Sequence, residues 1–215
     1  MNDLAHNPSP SLLARIRAAC TELFRRDRLP VMFLATAAAA TLPMLLAPAS
    51  AGLIYSRNSI LHGQLWRLFT GNLVHFGWLH WFMDTGLFLI LGRVLEWQYR
   101  AVARVSLPLL ALCVTGAVFL FDPEMQRYGG LSGMNVGLLV FLACRGWQRD
   151  WTDWFWPAVL LAHVVELAIE IRSGGTGGGM IQFSDPTIRV ATIAHIGGAF
   201  GGLAIWAWVA VRRST

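Results

Sequence analysis

The feature that most constrains the fold is a series of six apolar stretches separated by short polar connections. The chain is 55% hydrophobic and only 13% charged, whereas a soluble domain usually carries about 25% charged residues. Stretches of about 20 apolar residues are typical of membrane-spanning helices. We therefore predict an all-α membrane protein with six transmembrane helices, at about 29–54, 66–91, 105–121, 131–144, 154–171 and 190–211.

The basic residues predict how this chain is oriented. All 17 are arginines, and twelve of them lie in the N-terminal tail, the second and fourth connections and the C-terminal tail. Because arginine is enriched in cytoplasmic loops, we expect a cytoplasmic tail over 1–28, a membrane domain over 29–211 and a cytoplasmic tail over 212–215. The net charge of +5 then reflects topology, and we expect no nucleic-acid partner. The first apolar stretch is too long for a signal-peptide core and is expected to be retained.

The fourth stretch is too short to cross a membrane. From Ser132 to Arg145 a helix measures about 20 Å at about 1.5 Å per residue, against about 30 Å for the hydrocarbon core. If Arg145 marks the cytoplasmic edge, this helix starts inside the membrane and the preceding loop dips into it, which requires protein or water around that backbone. The same measure places His80 and His195 at a similar depth. Three reactive side chains from the second, fourth and sixth helices are thus expected to converge in the outer half.

These residue types fit nucleophilic catalysis. A serine hydroxyl needs an adjacent base, and His195 is a natural base for Ser132 because imidazole titrates near neutral pH. The oxyanion formed by attack on a carbonyl needs preorganised donors, and the backbone N–H groups at a helix N-terminus are free to serve. His80 and Asp84 are one helical turn apart and are expected to complete the oxyanion hole, with Gly133 in support.

Glycines are placed to allow a close approach of the helices. Gly130 and Gly133 permit a tight turn on either side of the serine. Gly198 and Gly202 are four residues apart and form a small-residue face for helix packing, and Gly137 lies on the helix that would approach it. We expect this seam to bring the serine and the histidine of the sixth helix within hydrogen-bond reach.

Three sequence segments, taken in order, resemble the rhomboid family of intramembrane serine proteases. They are "WRLFTGNLVHFGWLHWFMD" (66–84), "GLSG" (130–133) and "AHIGGAFGG" (194–202). The resemblance covers about 60–205 and includes "LGRVLE" (91–96) at the end of the second helix. The short length and the Tyr-x-Gly-Leu-Ser-Gly motif look most like the rhombosortase branch of the family.

The resemblance implies a six-helix rhomboid-like bundle and a role for each site residue. Ser132 would be the nucleophile and His195 the general base, while His80 and the Ser132 N–H would bind the oxyanion. Asp84 stands where many rhomboids have asparagine, so it would be protonated, turned away from the site, or used to orient His80. Val136 replaces an aromatic residue that often packs against the catalytic histidine.

The resemblance also implies a substrate class and a location. The substrates would be single-pass membrane proteins with a C-terminal Gly-rich, transmembrane and Arg-rich sorting tail, and no cofactor would be needed. The protein would lie in the bacterial inner membrane, within the lipid bilayer, with its site opening outward. The alternative is a catalytically inactive rhomboid-like protein that binds transmembrane segments, and Asp84 is the feature that favours it.

Other polar residues in the apolar stretches allow rival interpretations. His163, Glu166 and Glu170 share one face of the fifth helix and could form a metal site with His195 or a transport pathway. The chain has no His-Glu-x-x-His motif, so we expect no metal. It also has no visible inverted repeat, which argues against a transporter. We expect Glu166 to bond neighbouring helices and Glu170 to line the outer cavity.

Two further segments surround the expected site. His75 is five residues before His80 on the same predicted helix, so we expect it on a different face and nearer the surface, where it could support the loop above the site. The segment "SGGTGGG" (173–179) could be a mobile flap above the site or a flexible linker.

Overall fold

The computed structural model describes residues 17, 21, 29–152, 154–172 and 191–212. Within them the chain forms nine α-helices, a short 3₁₀ helix at Gly71–Leu73 and one pair of two-residue strands, β1 (Tyr55–Ser56) and β2 (Arg127–Tyr128). The helices are α1 (Val31–Leu45), α2 (Ala47–Leu53), α3 (Arg57–Leu61), α4 (Arg67–Thr70), α5 (Trp78–Gln98), α6 (Arg100–Phe121), α7 (Ser132–Arg149), α8 (Phe155–Arg172) and α9 (Thr192–Val211).

The prediction of a mainly helical protein is confirmed. Six of the described helices have at least 15 residues. Among the described residues, α6 and α9 are long and apolar enough to cross a membrane, while Val31–Leu45 and Phe155–Ile169 are apolar but shorter. The number of helices that cross the membrane therefore stays a prediction.

The first predicted span, 29–54, is wrong as a single helix. It is broken at Leu46, which leaves helical geometry with φ −116° and ψ 73° and separates α1 from α2. Pro48 lies in the first turn of α2. Proline has no backbone N–H and is tolerated in a first turn but not in a helix interior, which accounts for a new helix starting here.

The second predicted span, 66–91, also differs from the structure. It contains α4, the 3₁₀ turn and an extended residue, Val74, and the long helix α5 begins only at Trp78. The loop and the helix within 66–91 are both apolar, so hydropathy alone did not locate the start of α5. α5 also continues past the predicted end, to Gln98.

Helix α7 forms the centre of the molecule. Every residue from Gly133 to Ala143 is buried, and the helix packs against α5, α6, α8 and α9. It begins at Ser132, the residue where the sequence predicted the fourth helix to start. Because protein surrounds α7, its polar residues do not have to face lipid.

Helix α9 lies in a narrow space between α6 and α7. A Cβ on Gly198 or Gly202 would overlap the carbonyl oxygens of Gly133 and Gly137 on α7. On the adjacent face of α9, a Cβ on Gly197 would lie 2.7 Å from the carbonyl oxygen of Cys113 on α6. The glycines of "GGAFGG" therefore let the backbone of α9 pack closely against both α6 and α7.

The strand pair holds the segment that leads into α7. β1 and β2 are antiparallel, with Tyr55 opposite Tyr128. The Tyr128 hydroxyl then donates to the carbonyl oxygen of Gly130 at 3.1 Å. Two-residue strands are too short for a visible alternation of apolar and polar residues, so the sequence does not predict this strand pair.

Candidate active site

The structure brings Ser132 and His195 together at the interface of α7 and α9. Ser132 is the first residue of α7 and His195 lies in the first turn of α9. The Ser132 Oγ and the His195 Nε2 are 3.0 Å apart, and His195 is only 6% exposed. The glycine seam explains this distance, because a side chain at Gly198 would push the two helices apart. A hydroxyl bonded to an imidazole nitrogen can pass its proton to that nitrogen.

Asp84 occupies the N-terminus of α7. Its Oδ2 accepts hydrogen bonds from the backbone N–H of Leu131 at 2.8 Å and of Ser132 at 3.0 Å. The first N–H groups of a helix have no partner within the helix and attract negative charge, which accounts for the carboxylate here. The expectation that Asp84 could be turned away from the site is therefore wrong. Its side chain accepts from the N–H that an oxyanion would use.

Two histidines contact the same carboxylate oxygen. The Nε2 atoms of His80 and His75 lie 3.1 and 3.4 Å from Asp84 Oδ2. The backbone N–H of Phe76 donates to His80 Nδ1 at 3.4 Å, so Nδ1 is the acceptor and Nε2 carries the proton that points to Asp84. Of the three alternatives for Asp84, this contact agrees with the one in which the Asp84 carboxylate orients His80.

His75 lies closer to the site than the sequence analysis expected. The expectation assumed one helix through His75 and His80, but α5 begins at Trp78 and His75 lies in the loop before it. The loop turns at Gly77, whose φ is 155°. As a result His75 is 6% exposed, and its ring centroid is 5.0 Å from that of His80. Gly77 was the signal in the sequence that the helix does not extend to His75.

Gly130 and Asn135 complete the link between α5 and α7. Gly130 has φ 125°, and a Cβ there would lie 2.8 Å from His80 Nε2 and 3.0 Å from Asp84 Oδ2. The Asn135 side chain donates to the backbone oxygen of Asp84 at 2.9 Å. Asn135 was not singled out from the sequence, because an asparagine inside an apolar stretch gives no sign of its partner.

Gly133 faces the packing side of α7. A Cβ at this position would lie 2.8 Å from Val114 Cγ1 and 3.0 Å from the carbonyl oxygen of Ala194. Its support of an oxyanion stays a prediction, whereas its packing against α6 and α9 is direct.

The polar face of α8 contacts the site through His163. The His163 and His195 ring centroids are 5.7 Å apart, and Glu166 Oε2 lies 3.5 Å from His163 Nδ1. The side chain of Glu170 and the segment 173–179 lie outside the described residues. Within the described part of the chain, no three His, Cys, Asp or Glu residues are arranged to hold a metal ion.

Comparison with protein families identifies a domain in this chain. The family model described as Rhomboid domain matches residues 62–213, a range that contains all the site residues described above. No curated protein matches the chain.

Proposed function

The chain belongs to the rhomboid family, an integral membrane family whose members are normally intramembrane serine proteases, and we propose that it cleaves membrane-anchored proteins with Ser132 and His195. The observation that carries this proposal is the 3.0 Å contact between Ser132 Oγ and His195 Nε2. A half-buried serine bonded to a buried imidazole at a helix N-terminus is an arrangement that acyl transfer needs.

In the proposed reaction, His195 Nε2 accepts the hydroxyl proton while Ser132 Oγ attacks a peptide carbonyl. The resulting imidazolium gives this proton to the leaving amine, and an acyl-enzyme remains. Water enters from the outer side, loses a proton to His195 and attacks the ester carbonyl. His195 then gives that proton to Ser132 Oγ as the ester bond breaks and the carboxylic acid product leaves. A substrate helix has to unwind first, because its carbonyls are hydrogen-bonded and shielded. Gly and Ala near the cleaved bond would make such unwound backbone accessible.

The oxyanion needs the donors that Asp84 now engages. The Ser132 N–H and the His80 Nε2–H both point to Asp84 Oδ2. Attack therefore requires one of two changes. Either the substrate oxygen displaces this carboxylate oxygen, or Asp84 is protonated and donates a hydrogen bond to the substrate oxygen. In the first case His80 and the Ser132 N–H transfer their hydrogen bonds to the oxyanion. In the second case Asp84 becomes a further donor.

We extend the proposal to the rhombosortase branch, on the motif "YGGLSG" at 128–133. The substrate would then be a single-pass protein with a Gly-rich, transmembrane and Arg-rich C-terminal tail. The setting would be a bacterial inner membrane crossed six times by residues 29–211, with the tails 1–28 and 212–215 in the cytoplasm. The uneven distribution of the 17 arginines supports this orientation.

A second candidate function is binding without cleavage. The observation that favours it is the Asp84 carboxylate at the N-terminus of α7, since a carboxylate fixed there would repel an oxyanion. A site of this kind could still receive an unwound transmembrane segment beside the glycine seam.

The test is cleavage of a reporter in reconstituted vesicles. The reporter carries a Gly-rich segment, a transmembrane helix and an Arg-rich end, and two further reporters lack either the Gly-rich segment or the arginines. The matched control for Ser132→Ala is Ser106→Ala, since Ser106 is a buried serine of α6 whose hydroxyl donates to Ala103.

We expect the wild type and the Ser106→Ala variant to cleave the complete reporter, and the Ser132→Ala variant to leave it intact. Equal cleavage of all three reporters would support the protease function and contradict the proposed rhombosortase specificity. Binding of the reporter without cleavage by the wild type would favour the second candidate.

A further inference from the structure

Two facing imidazole rings each hold a buried nitrogen without a partner. Neither His195 Nδ1 nor His163 Nε2 has a hydrogen-bond partner among the described residues. The two ring centroids are 5.7 Å apart, with the planes at 64°. A buried polar atom left unpaired is destabilising, so two such atoms on neighbouring rings are natural partners for each other. A hydrogen bond between imidazoles needs the nitrogens in line and does not need parallel rings.

The neighbours of the two rings determine which nitrogen donates. Glu166 Oε2 lies 3.5 Å from His163 Nδ1, and a carboxylate can only accept, so Nδ1 of His163 carries the proton and Nε2 is an acceptor. On the other ring, Nε2 of His195 faces Ser132 Oγ and must be unprotonated to serve as a base. The proton of neutral His195 is then on Nδ1, so the two neighbouring rings carry one unpaired donor and one unpaired acceptor.

We propose that His163 is a positioning residue, which accepts the Nδ1–H of His195 and thereby holds its ring toward Ser132. The chain of contacts runs from Glu166 through His163 and His195 to Ser132, and it joins α8, α9 and α7. The inference rests on the proposed protease function. No proton moves to His163: the serine proton goes to His195 Nε2 and leaves with the amine, while the Nδ1 proton stays in place.

Other side chains near His195 are not placed for this role. Asp84 Oδ2 is bonded to the Ser132 N–H and to His80, so this carboxylate oxygen is already engaged. Val136, one turn after Ser132, is buried and carries no side-chain donor or acceptor. Within the described part of the chain, His163 is the side chain whose free acceptor lies beside His195.

Two substitutions of His163 distinguish a hydrogen bond from ring packing. The His163→Phe variant keeps an aromatic ring but loses the acceptor, while the His163→Gln variant places an amide oxygen near the position of Nε2. The readout is the rate at which a fluorophosphonate labels the full-length protein in detergent, together with its unfolding temperature. Because a positioned base contributes about 10²–10⁴-fold, we expect labelling of the Phe variant to fall at least about tenfold and that of the Gln variant to stay near wild type.

The possible results separate this inference from the protease proposal. A wild type that is not labelled would overturn the protease proposal itself. A labelled wild type with the Phe variant at or above the level of the Gln variant would overturn the role of His163 as an acceptor and leave the Ser–His pair in place.

Glu166 provides the test if either His163 variant fails to fold. The Glu166→Gln variant keeps an oxygen acceptor for His163 Nδ1, and the Glu166→Leu variant removes it. We expect slower labelling for Leu than for Gln. Equal rates for the two variants would overturn the chain of contacts at its first link.

Discussion

At the scale of the residue, Asp84 determines whether the site is ready to react. Its Oδ2 accepts from Leu131 and Ser132 and contacts His75 and His80. The same oxygen therefore stabilises the start of α7 and takes up the donors of the proposed oxyanion hole. Catalysis and helix capping compete for one group of N–H donors.

The Asp84→Asn substitution is expected to weaken this competition, because a neutral amide oxygen holds the α7 N–H groups less strongly than a carboxylate does. The amide oxygen can still accept from the α7 N–H groups, and the amide nitrogen can donate to an oxyanion without repelling it. We expect fluorophosphonate labelling to accelerate at least about tenfold, because one oxyanion donor is worth about 10²–10³ in rate. Asp122→Asn, in the loop after α6, serves as the control. Slower labelling of the Asp84→Asn variant would mean that the site needs a full carboxylate to hold His80.

A side chain at Gly130 would disturb the site directly. The φ of 125° at Gly130 is unfavourable for other residues, and an added Cβ would press on His80 and Asp84. We expect Gly130→Ala to cost about 1–3 kcal/mol of stability and to reduce labelling strongly. The control is Gly86→Ala on α5, where an added Cβ meets no atom within 4 Å. Equal unfolding temperatures and labelling rates for the two variants would contradict the described loop.

At the scale of the element, the seam between α7 and α9 sets the distance between Ser132 and His195. In the Gly198→Ala variant the new Cβ would overlap the carbonyl oxygen of Gly133, and backbone cannot move aside as a side chain can. Overpacking of this kind costs about 1–3 kcal/mol, and a displacement of about 1 Å at a reacting group can cost about 10²-fold in rate. We therefore expect both the unfolding temperature and the labelling rate to fall.

Gly116→Ala is the matched control for this prediction. Gly116 lies on α6, and an added Cβ meets no atom within 4 Å. A Gly198→Ala variant that unfolds and reacts like the Gly116→Ala variant would contradict the close packing of α7 and α9.

The elements differ in how well the sequence predicted them. The start of α7 and the approach of α9 could be predicted, because a serine framed by glycines and a four-residue glycine spacing each have a direct structural reason. The break at Leu46 and the late start of α5 could not, because hydropathy does not distinguish an apolar loop from an apolar helix. For the same reason the contact of His75 with Asp84 was missed, since it depends on the turn at Gly77.

The contact between His163 and His195 illustrates a further limit. The sequence places His163 and Glu166 on one face of a helix, but it does not say which neighbour that face meets. Only the packing of α8 against α7 and the position of α9 bring the two imidazole rings together.

At the scale of the whole molecule, burial explains why hydropathy finds few clear spans. α7 is enclosed by other helices and can carry Ser132, Asn135 and Arg145, which lower its hydropathy. The outer surface is apolar in compensation: Phe82 on α5 and Phe200 on α9 are 65% and 72% exposed. An apolar exterior around a more polar centre is the arrangement expected of a protein in lipid.

The proposed topology is tested with single cysteines. In a variant with the three native cysteines replaced by alanine, we introduce Glu124→Cys before α7 or Trp151→Cys after it, both exposed positions. A membrane-impermeant maleimide added to intact cells is expected to label the first variant, and to label the second only after the cells are opened. Labelling of both in intact cells would mean that α7 does not separate the two sides.

The central claim is that Ser132 is an activated nucleophile, and covalent labelling by a fluorophosphonate tests it most directly. Peptide mass spectrometry of the purified full-length protein would locate the adduct. We expect an adduct on Ser132 in the wild type and in the Ser106→Ala control, none in the Ser132→Ala variant, and a strong reduction in the His195→Ala variant. A folded wild type without an adduct, under conditions that label an active rhomboid protease, would contradict the claim.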